Sequence, residues 1–292
     1  MSQSEKRHAK GPKRGPKGIR RLRSVEVRAD TPTVHSWVAP NSFAAEQYLN
    51  LAVRIEERVA AREGPAFLLS VTSPEPAAGK TLTSLNLALT LGRICEGRVL
   101  LVECDLRRPS LFQYLEGEGP VPGLADILVD DVEFGEAVAT VKGTRLDLLG
   151  AGTVGKMENL IADNRMVEEI GQLGSLYEIV IFDSPPLPMA TGRSLANMAQ
   201  GVLLVVRAGQ TRKRDIEDAL SALEPGKVVG MVLNGVRQSR LGSSAYSSYA
   251  YYDRDQASTI DGEETTRRAG EGVEPFPRDF SMNDGTEPGE GT

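Results

Sequence analysis

The chain has 292 residues, 40% apolar and 25% charged, with two cysteines and a formal net charge of −6 at neutral pH. That length and balance support one substantial core with polar ends, and two cysteines exclude a disulfide framework and suit a reducing cytoplasm. The longest apolar runs have only strand length and none follows the basic N-terminus, so neither a secretory leader nor a membrane span is expected.

Charge is spread unevenly. Residues 1–35 hold ten Lys or Arg against three Asp or Glu, a balance of +7, and residues 241–292 hold four against eleven, a balance of −7. Opposed ends of this kind are interaction segments or solvated chain. The first segment mixes Lys, Arg, Gly and Pro and has almost nothing apolar to offset the entropy of ordering, so a basic disordered region is expected over residues 1–40. Basic residues suit nucleic acid, but no aromatic side chain precedes Trp37 for base stacking and the middle of the chain is acidic. No nucleic-acid partner is expected; an anionic lipid surface suits the same residues.

From residue 42 to 62 the pattern is helical, with Tyr48, Leu51, Ala52, Ile55 and Val59 on one stripe. Short, nearly continuous apolar runs follow at 66–71, 99–102, 146–149, 179–182, 202–206 and 228–233, the signature of strands buried on both faces. Helical stretches at 80–94, 123–128, 157–173, 193–198 and 214–223 alternate with them. The class is α/β: a mainly parallel twisted sheet flanked by helices on both faces, over residues 41–240. Residues 241–292 read as a tyrosine cluster followed by an acidic disordered tail.

The first strand runs into Ser73-Pro74-Glu75-Pro76-Ala77-Ala78-Gly79-Lys80-Thr81 at the start of a helix. Backbone N–H groups of such a turn converge on anionic oxygens, and the helix adds its positive end. Lys80 reaches terminal phosphates and Thr81 ligates Mg²⁺, which makes this a nucleotide-phosphate loop of P-loop NTPase type. Parallel sheets place chemistry at the carboxyl ends of strands. Two acidic strand ends qualify: Glu103-Cys104-Asp105-Leu106-Arg107-Arg108-Pro109 and Asp183-Ser184-Pro185-Pro186. The bland reading of these acids is capping or turn chemistry. Arg107 and Arg108 suit a surface ion pair as well as a phosphate contact. The two histidines, His8 and His35, point to no metal site.

With these motifs in place, the chain resembles the cytoplasmic ATPase domain of bacterial protein-tyrosine autokinases, a family tied to capsule and exopolysaccharide synthesis and related to MinD and ParA. The resemblance spans roughly residues 42–252 and rests on the phosphate loop, the acidic motif ending Asp105-Leu106-Arg107-Arg108-Pro109, Asp183-Ser184-Pro185-Pro186, Val232-Leu233-Asn234 and the tyrosine cluster. It implies that backbone from Ala77, Ala78, Gly79, Lys80, Thr81 and Leu82 wraps the phosphates of ATP. It further implies that Lys80 binds the β- and γ-phosphates, that Thr81 and Asp183 hold Mg²⁺ with help from Asp105, and that Asn234 contacts adenine. Glu103 stands where the family usually has Asp and is retained with Lys80, Asp105 and Asp183 as a candidate catalytic residue. Tyr246, Tyr249, Tyr251 and Tyr252 are the expected autophosphorylation sites, modified in trans. The implied partners are a transmembrane polysaccharide co-polymerase that activates the kinase, further copies of the chain, protein tyrosine substrates and a cognate phosphotyrosine phosphatase. The implied place is the cytoplasm, at the inner face of the membrane.

Four features depart from the family pattern. Besides Glu103, Ala77 stands where glycine is common, which is expected to restrict the loop unless its φ stays negative. The family's Glu-x-x-Arg-x-x-Arg is here Glu46-Gln47-Tyr48-Leu49-Asn50-Leu51-Ala52, without either arginine, and no acidic residue follows soon after Pro186. A second reading stays open: an ATP-binding switch of MinD or ParA type, or a degenerate kinase acting as a scaffold. Against plain membership of those ATPases, Glu75 occupies the position of their signature lysine.

Overall fold

The structure is a computed structural model that describes residues 23–116, 122–130, 132–153 and 176–236. Among the described residues nine strands form one sheet in the order β4-β1-β5-β6-β3-β7-β2-β8-β9. They are β1 (Arg23–Val27), β2 (Phe67–Thr72), β3 (Val99–Glu103), β4 (Leu115–Glu116), β5 (Val138–Val141), β6 (Leu146–Leu149), β7 (Ile179–Asp183), β8 (Gly201–Arg207) and β9 (Val228–Asn234). Six of them, β6-β3-β7-β2-β8-β9, run parallel; β5 turns antiparallel against β6, and β1 lies parallel to β5. The expected mainly parallel sheet is therefore present. Its central strands β3 and β7 are buried at every residue, as a sheet covered on both faces requires.

Helices flank both faces. One carries α2 (Phe43–Ala60) and α3 (Lys80–Ile94). Ser42 caps α2, its hydroxyl accepting from Ala45 N–H at 3.2 Å. The predicted stripe faces inward: Ala52 and Ile55 are buried, and Tyr48, Leu51 and Val59 pack on the core with Leu85, Leu89, Leu69 and Val71. Burying each large aliphatic side chain contributes about 1.5–3 kcal/mol, so this face holds the helix in place. On the other face α4 (Leu124–Asp130), α5 (Phe134–Ala137), Tyr177 and α6 (Ala190–Met198) supply Leu128, Ala137, the Tyr177 ring and Leu195 to a core with Leu100, Val102, Val180 and Phe182. A third cluster joins α7 (Lys213–Ser221) to β8 through Ala219, Val202 and Leu204.

The expectation of disorder through residue 40 needs correction. Residues 23–27 form β1, which pairs with both β4 and β5 and buries Val25 and Val27 while Ser24 and Glu26 face solvent. Downstream, Val34 is buried and a short helix, α1 (His35–Val38), lies against α3. Ser36 N–H donates to Asn86 Oδ1 at 2.9 Å, and the Arg93 guanidinium stands 4.4 Å over the Trp37 ring. Two alternating valines beside a dense run of basic residues give little burial by themselves; the pairing comes from β4 and β5, which are remote in sequence. The predicted helix at 157–173, residues 1–22 and the segment after 236 lie outside the described residues, as do the four candidate tyrosines.

Candidate active site

The carboxyl ends of β2 and β7 are stitched together before any ligand enters. Ser70 and Ser184 share a buried hydroxyl contact at 2.9 Å, Thr72 Oγ1 donates to Pro185 O at 2.8 Å, and Leu187 N–H donates to Ser73 O at 2.9 Å. These bonds fix the entry to the phosphate loop against the strand that ends in Asp183.

The loop then takes two left-handed residues, Ala77 at φ +58° and Gly79 at φ +94°. Ala77 does not keep a negative φ, so its side chain does restrict the loop: this conformation costs a side-chain-bearing residue about 1–2 kcal/mol. Neighbours hold it there: Arg207 Nη1 donates to Ala77 O at 3.3 Å, and Asn234 Nδ2 to Ala78 O at 2.9 Å. Thr211 Oγ1 donates to Glu75 Oε1 at 2.6 Å while accepting from Arg207 N–H at 2.7 Å. Gly79 is required as glycine for its positive φ, and a Cβ there, 1.9 Å from Asn234 Nδ2, would also displace the Asn234 amide from the loop. Asn234 Oδ1 meanwhile accepts from Gly235 N–H at 2.8 Å, so the side chain expected at adenine braces the loop through one amide hydrogen.

Lys80 and Thr81 open α3, and Lys80 is 7% exposed. Asp183 closes β7 beside them. Its Oδ1 accepts from Ser84 Oγ at 3.3 Å, and its Oδ2 is buried without a hydrogen-bond partner. Burial pushes the Asp183 carboxyl up to about 7, against the pull of the Thr81 hydroxyl and the Lys80 charge, with Glu103 and Asp105 adding to the rise. A buried carboxylate oxygen left open beside a Thr hydroxyl is an arrangement that a hard cation completes. Among the described residues no group of three or more His, Cys, Asp and Glu converges. The donor set of Thr81, Asp183 and half-buried Asp105 thus fits Mg²⁺ shared with substrate phosphates rather than a cage made by the protein alone.

Glu103 is placed differently from its expected catalytic position. It pairs across the sheet with Asp183, but its carboxylate turns into backbone: Oε1 accepts from Ser110 N–H at 2.5 Å and Leu111 N–H at 2.7 Å, and Oε2 from Ala151 N–H at 3.2 Å. Burial raises its pKa and the three amides oppose that rise. The loop it anchors carries Asp105, Arg107 and Arg108, and Ser110 Oγ lies 3.3 Å from Thr81 Oγ1.

Lys80, Thr81, Asp105 and Asp183 are thereby brought to one end of the sheet, with the Ala77–Leu82 backbone and Asn234. Ser84, Ser110, Arg207 and Thr211 escaped the sequence reading. Arg207 and Thr211 follow the carboxyl end of β8, so the rule that drew attention to Asp105 and Asp183 applies to them once cations and hydroxyls are inspected beside acids.

A phosphate loop at a helix start, facing a buried acid on the adjacent parallel strand, defines a nucleoside triphosphate-binding protein of the P-loop class. No protein-family profile matches the sequence. The tyrosine-protein kinase YwqD of Bacillus subtilis is 31% identical over 218 residues, 73% of this chain and 88% of that protein. The succinoglycan biosynthesis transport protein ExoP of Rhizobium meliloti is 28% identical over 219 residues, 72% of this chain but 27% of that longer protein. Among solved structures, the BceF tyrosine kinase domain superposes with a TM-score of 0.60 at 28% identity, covering 70% of this chain and 82% of that one. The chain belongs to the bacterial tyrosine-protein kinase family.

Proposed function

We infer that the protein is a Mg²⁺·ATP-dependent protein-tyrosine kinase that phosphorylates the 246–252 cluster of another copy and thereby regulates the synthesis or export of an extracellular polysaccharide. Membership of the tyrosine-kinase family supports the activity, and the name of its relative ExoP supports the polysaccharide setting. The observation that carries the chemistry is the unpartnered Asp183 Oδ2 next to Lys80 and Thr81 at the mouth of the phosphate loop.

Phosphoryl transfer needs positioning and charge stabilisation more than covalent help. Amides from Ala77 to Leu82 cradle the phosphates, and Lys80 offsets the negative charge that spreads over the γ-phosphoryl oxygens. Thr81 and Asp183, with Asp105 nearby, would hold Mg²⁺, which would supply further neutralisation of the phosphate charge. The phenolic oxygen of the acceptor tyrosine attacks γ-phosphorus as the bond to the β-bridging oxygen breaks, ADP leaves, and the phenolic proton passes to a carboxylate. Asp105 is the base we favour, because Glu103 has both oxygens committed to amides. Asn234 keeps one amide hydrogen for the adenine ring after bonding Ala78. No helix among the described residues is long and apolar enough to cross a membrane, and recruitment by a transmembrane activator supplies the link to the cell surface.

The test is incubation of the full chain with Mg²⁺·ATP, with and without the cytoplasmic tail of a candidate activator, followed by mapping of phosphotyrosine by mass spectrometry. Modification at Tyr246, Tyr249, Tyr251 or Tyr252 that disappears in Lys80→Met is expected. Persistent absence of phosphotyrosine despite demonstrated ATP binding and a working activator would replace the kinase by a nucleotide switch.

A further inference from the structure

The acidic folded region concentrates positive charge where β8 passes into α7. Residues 207–214 hold Arg207, Arg212, Lys213 and Arg214 and no acidic residue, and all four cations are exposed. The turn is fastened to the phosphate loop, through Arg207 to Ala77 O and through Thr211 to Glu75. A second basic pair, exposed Arg107 and Arg108, stands on the loop whose Ser110 reaches Thr81. The nucleotide site therefore has cationic loops on two sides, reached from β3 and from β8.

The cations at 212–214 are not consumed by the fold. Lys213 and Arg214 make ion pairs one turn along α7 with Glu217 and Asp218, at 3.5 and 3.8 Å, while their side chains stay 89% and 88% exposed. Pairs this exposed contribute little to stability and exchange readily for an incoming carboxylate. The complementary charge lies in the same sequence. Residues 243–266 contain the four clustered tyrosines with Asp253, Asp255, Asp261, Glu263 and Glu264 against Arg254 alone, a net charge of −4.

We propose that the 207–214 turn is a docking platform for the acidic tyrosine segment of a second copy of this chain, with Arg212, Lys213 and Arg214 as the recognition residues. The inference rests on the kinase reading and names how that site gathers its substrate. The carboxylates following Tyr252 engage the platform and hold the preceding tyrosines near the phosphate loop to which the turn is tied. Each phosphate added to a tyrosine brings about −1.5 to −2 further charge, so the modified segment binds the platform more tightly than the unmodified one.

The measurement is anisotropy of a fluorescent 243–266 peptide titrated with the full chain carrying Lys80→Met, which separates docking from transfer. Compared with it are Arg212→Glu/Lys213→Glu/Arg214→Glu and the neutral Arg212→Gln/Lys213→Gln/Arg214→Gln; acidic side chains suit a helix N-terminal turn, so the reversed protein is expected to fold. Expected are at least a tenfold loss of peptide affinity on reversal, an intermediate loss on neutralisation, weakening of the parent complex with salt, tighter binding of the phosphorylated peptide, and unchanged affinity for a fluorescent ATP analogue. Equal peptide binding by the reversed protein overturns the proposal. So does a parallel loss of nucleotide affinity, which assigns these cations to ATP, or preferential binding of phosphatidylserine vesicles over the peptide through the same residues. Phosphotyrosine mapping reports on the kinase reading separately: docking with no transfer removes the kinase and keeps the platform, and transfer with no docking does the reverse.

Discussion

Two carboxylates that face each other across β3 and β7 do opposite work. Glu103 spends its charge on three amides, so Glu103→Ala leaves buried N–H groups at Ser110, Leu111 and Ala151 unpaired. We expect a loss of roughly 3–5 kcal/mol in denaturant unfolding, with Glu103→Gln about half as costly because one acceptor oxygen is kept. Asp183 has the reverse problem: with its pKa pushed up to about 7 from the ordinary 3.8, its charged form is held in a poorly solvating site. A raised carboxyl pKa means that the native state binds the proton more tightly. Native stability from this group is complete below pH 4 and is lost as pH rises through 7. Asp183→Asn should therefore be more stable than the parent at pH 8, by on the order of 2–4 kcal/mol without nucleotide, with the difference closing toward pH 4. Equal unfolding midpoints at pH 8 would contradict this. The same variant is expected to lose Mg²⁺-dependent nucleotide binding, a trade of stability for function at one atom.

At the scale of elements, the buried parallel strands and α3 were legible because their apolar runs are continuous and the Gly-Lys-Thr turn marks the helix start; α3 begins at Lys80 as read from the sequence. The strands β1, β4 and β5 were not. Each is short: β1 and β4 draw their hydrogen bonds from segments remote in sequence, and β5, although it pairs with nearby β6, has only four residues to carry a pattern. Val27→Ala tests how far β1 belongs to the core: two lost carbon groups at about 0.8 kcal/mol each plus the cavity left behind predict a cost of about 2 kcal/mol, read by thermal or chemical unfolding. An unchanged midpoint would place β1 outside the cooperative core. The placement of Lys80, Thr81, Asp105 and Asp183 at one end of the sheet was legible, because a phosphate turn and the carboxyl ends of parallel strands fall there. The brace formed by Arg207, Thr211 and Asn234 was not, since it depends on how β8 and β9 lie beside the loop. The true direction of the Glu103 carboxylate was equally hidden, because a motif records residue type and not the amides that surround it.

Taken as one molecule, the protein sets a nucleotide end, formed by parallel strands, within an acidic domain, and two clusters of exposed cations, Arg107–Arg108 and Arg212–Arg214, stand beside that end. Steering of this kind raises encounter rates for acidic segments and fades with salt. The sheet order also dictates a timetable for manufacture. Strand β2, which delivers the phosphate loop, is translated early, yet its two neighbours are β7 and β8: Phe67 pairs with Ile179, and Leu69 with Gly201. On the ribosome, the part of the chain that will grip ATP waits unpaired until most of the domain has emerged, so the nascent protein is born without its nucleotide pocket and acquires it as one late event.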